Sequence, residues 1–171
     1  MKRLMTIGCG CLCASLLATA VATAGNPASD GHARNLAAKQ CAAEKKADRA
    51  AFRQLYGKHA MRNCIRGTSD ETKAELKNAA AKCRAERASD PDAFRQAWGT
   101  NHNGRNAFGK CVSKTARGKV AEDVAEFKNA AQECRADRRD DPDAFRQAWG
   151  TNHNGRNALG KCVASKVKHA D

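Results

Sequence analysis

The few apolar residues of this chain recur at helical spacing. Leu76, Ala79, Ala80 and Cys83 fall at i, i+3, i+4 and i+7, and Phe127, Ala130, Ala131 and Cys134 do the same. Each set predicts an amphipathic helix with a cysteine on its inner stripe. Downstream, Asp90-Pro91 and Asp141-Pro142 read as an N-cap followed by a first-turn proline, opening a short helix that Gly99 or Gly150 ends. The apolar side of that helix is Phe94 with Trp98, or Phe145 with Trp149. A third helix carries Phe108, Cys111, Val112 and Thr115, or Leu159, Cys162, Val163 and Lys166, again with the cysteine facing inward. The predicted fold class is all-α, each unit being a long helix, a short helix, a polar loop and a return helix.

These elements are copies of one another. Residues 90–107 recur unchanged at 141–158, and Gly109-Lys110-Cys111-Val112 recurs as Gly160-Lys161-Cys162-Val163, all at an offset of 51 residues. A diverged front copy places Cys41 the same 11 residues before Phe52-Arg53-Gln54-Leu55-Tyr56-Gly57 that separate Cys83 from Phe94. It lacks the Asn-His-Asn-Gly loop, so Gly57 to Cys64 spans 7 residues where Gly99 to Cys111 spans 12. The reading is three tandem units, 34–68, 69–118 and 119–171, behind a flexible leader at 25–33 that is rich in Gly, Asn, Pro and Ser. The junctions at Gly67-Thr68-Ser69 and Arg117-Gly118-Lys119 are short, and Thr68 with Glu71 fits a capping box for the second long helix. Loosely touching beads and a compact array both fit this pattern.

The Phe108-Gly109-Lys110-Cys111-Val112-Ser113-Lys114 tail, following Trp98-Gly99-Thr100-Asn101, resembles a group of secreted bacterial proteins. These carry Ala- and Lys-rich two-cysteine segments ending in an FGKCVS-like tail, and no activity attaches to them. The resemblance covers most of residues 75–166 and implies export and a repeated module. The front copy departs from it, with Arg62-Asn63-Cys64-Ile65 in place of the tail.

The amino terminus points the same way. Met1-Lys2-Arg3, an apolar run from Leu4 to Val21 and the small residues Ala22-Thr23-Ala24 predict a secretory signal peptide over 1–24, cleaved before Gly25. Of the nine cysteines, Cys9, Cys11 and Cys13 leave with it, and Cys41, Cys64, Cys83, Cys111, Cys134 and Cys162 remain. An even number in an exported chain predicts a disulfide framework. Six cysteines allow 15 pairings, and one pair per unit selects Cys41–Cys64, Cys83–Cys111 and Cys134–Cys162. The staples matter because Val, Ile, Leu, Met, Phe, Trp and Tyr make up only about 13% of residues 25–171. So thin a core needs support beyond burial. Closing a 28-residue loop supplies at most roughly 3.5 kcal/mol on the chain-entropy estimate.

Candidate chemistry is sparse. His102 and His153, each in Asn-His-Asn-Gly, are the residues to weigh as metal ligands or acid–base groups, but one imidazole per loop falls short of the three or four convergent ligands a metal needs. Only a meeting of the two loops would build a composite site. Asp90, Asp92, Asp140, Asp141 and Asp143 stand where caps and first-turn acids belong. No Cys-x-x-Cys, glycine-rich phosphate loop or serine-nucleophile motif occurs. No catalytic, metal or cofactor residue is therefore assigned, and the expected function is non-enzymatic: a secreted or envelope-associated module that binds through its surface.

Charge suggests the partner. The chain carries a formal net charge of +13, and the three units (the first taken from Gly25) contribute +6, +4 and +1 from front to back. Anionic envelope polymers, anionic lipid surfaces and nucleic acid are the partner classes such a surface attracts. The alternative function is accordingly a cationic polyanion-binding protein, antimicrobial in effect. Aromatics are few and needed in the core, which argues against base stacking on single strands.

Overall fold

The computed structural model describes residues 27–168, without the side chains of 27–29 and 168. Seven α-helices and no strand occur among the described residues: α1 (Pro27–Ala47), α2 (Arg49–Tyr56), α3 (Ala60–Ser89), α4 (Pro91–Trp98), α5 (Ala107–Asp140), α6 (Pro142–Trp149) and α7 (Ala158–Lys168). The signal peptide expected over 1–24 lies outside the described residues.

Single aspartates make the corners. Asp48, Asp90 and Asp141 each accept the backbone N–H groups of the second and third residues that follow, at 2.9–3.2 Å. Pro91 and Pro142 fill first-turn positions whose missing N–H costs nothing. Asp90 and Asp141 also close the preceding long helix, so one residue turns the chain from α3 into α4 and from α5 into α6.

The cysteines pair as the repeat predicts: Cys41–Cys64, Cys83–Cys111 and Cys134–Cys162, each with a Cα–Cα distance of 6.0 Å. They link α1 to α3, α3 to α5 and α5 to α7, each bracketing a short helix.

Three expectations are corrected. The junctions at 67–69 and 117–119 are not breaks, because the return helix of one copy and the long helix of the next are continuous as α3 and α5. Thr68 forms no capping box. Its buried hydroxyl donates to the Cys64 carbonyl at 3.0 Å, Thr72 donates to Thr68 at 2.8 Å, and Ser69 donates to Ile65. Hydroxyls on a buried helix face satisfy themselves on the carbonyl one turn back, so the helix runs on. The leader is corrected as well: residues 27–33 belong to α1, Ala33 is fully buried, and Asp30 pairs with Lys73 of α3 at 3.3 Å. A proline opening a helix and an outward-facing glycine do not prevent it once the inner face has a partner.

The long helices α1, α3 and α5 pack pairwise, with Leu36, Ala79 and Ala116 meeting at their centre. Alanine at the crossing lets the backbones approach closely. The middle copy builds its own small core from Cys83, Phe94, Ala107 and Cys111. The front and last copies instead share one core, in which Phe52 joins Phe127, Phe145, Leu159 and Val163. There α2 lies on α7. The Arg135 guanidinium grips Asp48 with two N–H groups, the Nη2 bond measuring 2.7 Å, and the Gly160 N–H donates to Gln54 Oε1 at 3.2 Å. The array is therefore compact, and its first and last copies are neighbours.

Candidate anion-binding grooves and the histidine loops

The two histidine loops are alike. Gly104 and Gly155 take φ values of 62° and 63°, which explains the Asn-Gly pairs. Asn106 accepts from the Thr100 N–H at 3.1 Å and donates to the Thr100 hydroxyl at 2.7 Å; Asn157 and Thr151 repeat this at 3.1 and 2.6 Å. His102 and His153 are exposed beside these turns. The last copy packs on the front copy, which lacks the loop, so the composite histidine site is not assembled by this packing. Among the described residues no three His, Cys, Asp or Glu side chains converge to hold a metal.

The aspartates expected as caps and first-turn acids divide simply, with Asp140 the last residue of α5. Asp90 and Asp141 are helix caps, while Asp92 and Asp143 pair with Arg95 and Arg146 one turn on. Sequence reasoning missed a different acidic set. Glu44 of α1 is 3% exposed, receiving the Tyr56 hydroxyl at 3.0 Å and the Gln40 amide at 3.2 Å. Burial pushes its carboxyl above the usual range, and burial followed by the nearby Glu44 charge pushes the Tyr56 phenol up. Glu75 of α3 is raised to about 7, first by burial and then by the charge of Asp123 on α5, against the opposing pull of Lys119. A signal was present: Glu44 continues the Leu36, Ala37, Gln40, Cys41 stripe, and Glu75 lies between Thr72 and Ala79 on the inner face of α3. These side chains hold helices together; they line none of the grooves described next.

Three shallow grooves carry the basic character. One, of about 710 Å³, lies beside Trp98 and Thr100 and is bounded by Arg105, Lys110, Lys114 and Arg117. Lys114 Nζ sits 5.4 Å from the centre of the Trp98 ring, whose indole N–H donates to Glu86 at 2.7 Å. A second, of about 690 Å³, runs between Arg138, Arg139, Arg146 and Arg156. A third, of about 570 Å³, is bounded by Lys45, Arg49, Arg53 and Lys58. No carboxylate lines any of them. In the Trp98 groove Arg105, Lys110 and Arg117 form no ion pair among the described residues, leaving their charge free for a ligand.

No family model, curated protein or solved structure matches the chain. Among the described residues no helix is long and apolar enough to cross a membrane.

Proposed function

We propose that this is an exported, non-enzymatic helical protein that acts at the cell envelope by binding an anionic polymer or anionic lipid surface in its basic grooves. The observation that carries the reading is the Trp98 groove, which presents four cations and no carboxylate on a disulfide-tied scaffold. Cations spaced along an open groove suit a run of phosphates or carboxylates better than one small ion, and their pull falls with salt. Export is supported by six cysteines that are all buried and all paired, the expected state in an oxidising compartment.

The test is retention of the oxidised protein on immobilised heparin. Binding at about 50 mM salt should be lost by a few hundred millimolar, with log affinity falling linearly in log salt. Replacing Arg105, Lys110 and Lys114 together by Glu should reduce retention while the helical circular dichroism stays unchanged. A wild-type protein that passes straight through at low salt would rule the reading out.

A further inference from the structure

The exact repeat supplies an internal comparison. In the last copy, the face formed by Arg135, Leu159, Gly160 and Val163 is occupied by α2: Arg135 holds Asp48, and Gly160 lies so close that a Cβ there would come 2.6 Å from the Gln54 carbonyl carbon. Leu159 and Val163 are accordingly buried. The equivalent face of the middle copy, 51 residues earlier, is Arg84, Phe108, Gly109 and Val112. Nothing lies within 4 Å of a Cβ built on Gly109, Phe108 and Val112 are only half-buried, and Arg84 and Arg87 fold over the Phe108 ring.

The other half of the contact is also unused. Helix α4 matches α2 position for position, with Asp90 for Asp48, Ala93 for Ala51, Gln96 for Gln54 and Ala97 for Leu55. In α2, Ala51 is buried and Gln54 half-buried, whereas Ala93 and Gln96 are exposed. Asp90 forms no salt bridge among the described residues, while its counterpart Asp48 is gripped by Arg135. Size changes in opposite directions: Ala97 is smaller than Leu55, and Phe108 is larger than Leu159. The middle copy thus carries counterparts of both faces of the α2–α7 contact with no helix docked between them; Phe108 and Val112 pack only in part, on the small cores of their own copy and of the long-helix crossing.

We propose that the middle copy is a self-association surface, on which α4 of a second copy of this chain docks against Arg84, Phe108 and Gly109, as α2 docks on α7. Asp90 of one copy meets Arg84 of the other, and Gly109 admits the incoming backbone. A single eight-residue helix is small beside the roughly 1,200–2,000 Å² of a stable complex, so the association is weak and depends on concentration. It needs no bound polyanion, although Gly109 and Ala97 also line the Trp98 groove, so the two surfaces adjoin.

Sedimentation equilibrium of the oxidised full chain tests this. The weight-average mass should rise from the micromolar to the millimolar range. Gly109→Leu should hold the protein at monomer mass, since the added side chain meets open space in one copy and the incoming helix in the other. Arg84→Glu and Asp90→Arg should each weaken association, and mixing these two variants should restore it, because every Arg84–Asp90 contact in the mixed pair is again between opposite charges. The proposal is overturned if the wild type remains monomeric throughout, if Gly109→Leu associates like the wild type, or if the mixture associates no better than its components.

Discussion

Glu75 shows how a single side chain can set a pH dependence that composition hides. Its folded value of about 7 lies above the ordinary carboxyl value of 4.5, so between those limits the folded protein holds a proton that the unfolded chain has lost. Stability attributable to this group is therefore full below about 4.5 and is lost as pH rises through 7. Glu75→Gln should abolish the loss and raise stability at pH 8 by about 1 kcal/mol, a figure reduced for partial exposure, with little change near pH 5. Denaturant midpoints of both proteins at the two pH values check it, and equal midpoints at pH 8 would contradict it. Asp48 has the opposite sign, since its hydrogen bond from Arg135 holds it below the usual carboxylate range and its contribution is lost on acidification. The capping aspartates were legible because Asp-Pro has a local meaning. The role of Glu75 was not, because its pKa depends first on burial between packed helices and then on Asp123 on another helix.

At the scale of elements, what could be read locally was read correctly: the short helices with their Asp caps, the inward cysteines and their pairing. Helix continuity and the early start of α1 were the exceptions. Gly67 and Gly118 beside Thr68 and Lys119 look like a stop followed by a start, yet both glycines sit within α3 and α5 with open space around them and no positive φ. The decision belongs to the inner faces, where Thr68, Thr72 and Ala116 are buried and repay an unbroken helix. Gly67→Ala and Gly118→Ala should then each stabilise the oxidised protein by about 0.5–1 kcal/mol, the helix-interior difference between the two residues. Gly99→Ala should do the reverse, because its Cβ would come 2.5 Å from the Arg95 carbonyl oxygen. Thermal unfolding of the three variants separates these outcomes, and destabilisation by Gly67→Ala would show that the chain turns at that position.

Across the whole molecule, identical sequence does not bring identical surroundings. Residues 90–107 and 141–158 are the same, and their short helices and loops have the same local geometry, but only the last copy receives α2. No local pattern could reveal this, because the partner lies more than a hundred residues away in the chain and the contact depends on α1, α3 and α5 turning back on one another. Gly109 and Gly160 turn the difference into a measurement. Gly160→Ala places a methyl group 2.6 Å from the backbone of α2, which cannot retreat without surrendering the Asp48–Arg135 grip and the burial of Phe52. Gly109→Ala meets nothing within the same copy. The first substitution should cost roughly 1–3 kcal/mol, as overpacking in a closed core does, and should speed proteolytic cleavage around α2. The second should leave a dilute monomer unchanged or slightly more stable. If denaturant unfolding and limited proteolysis gave the same result for both variants, the front and last copies would not be clasped, and α1 to α7 would have to be a string of independent staples.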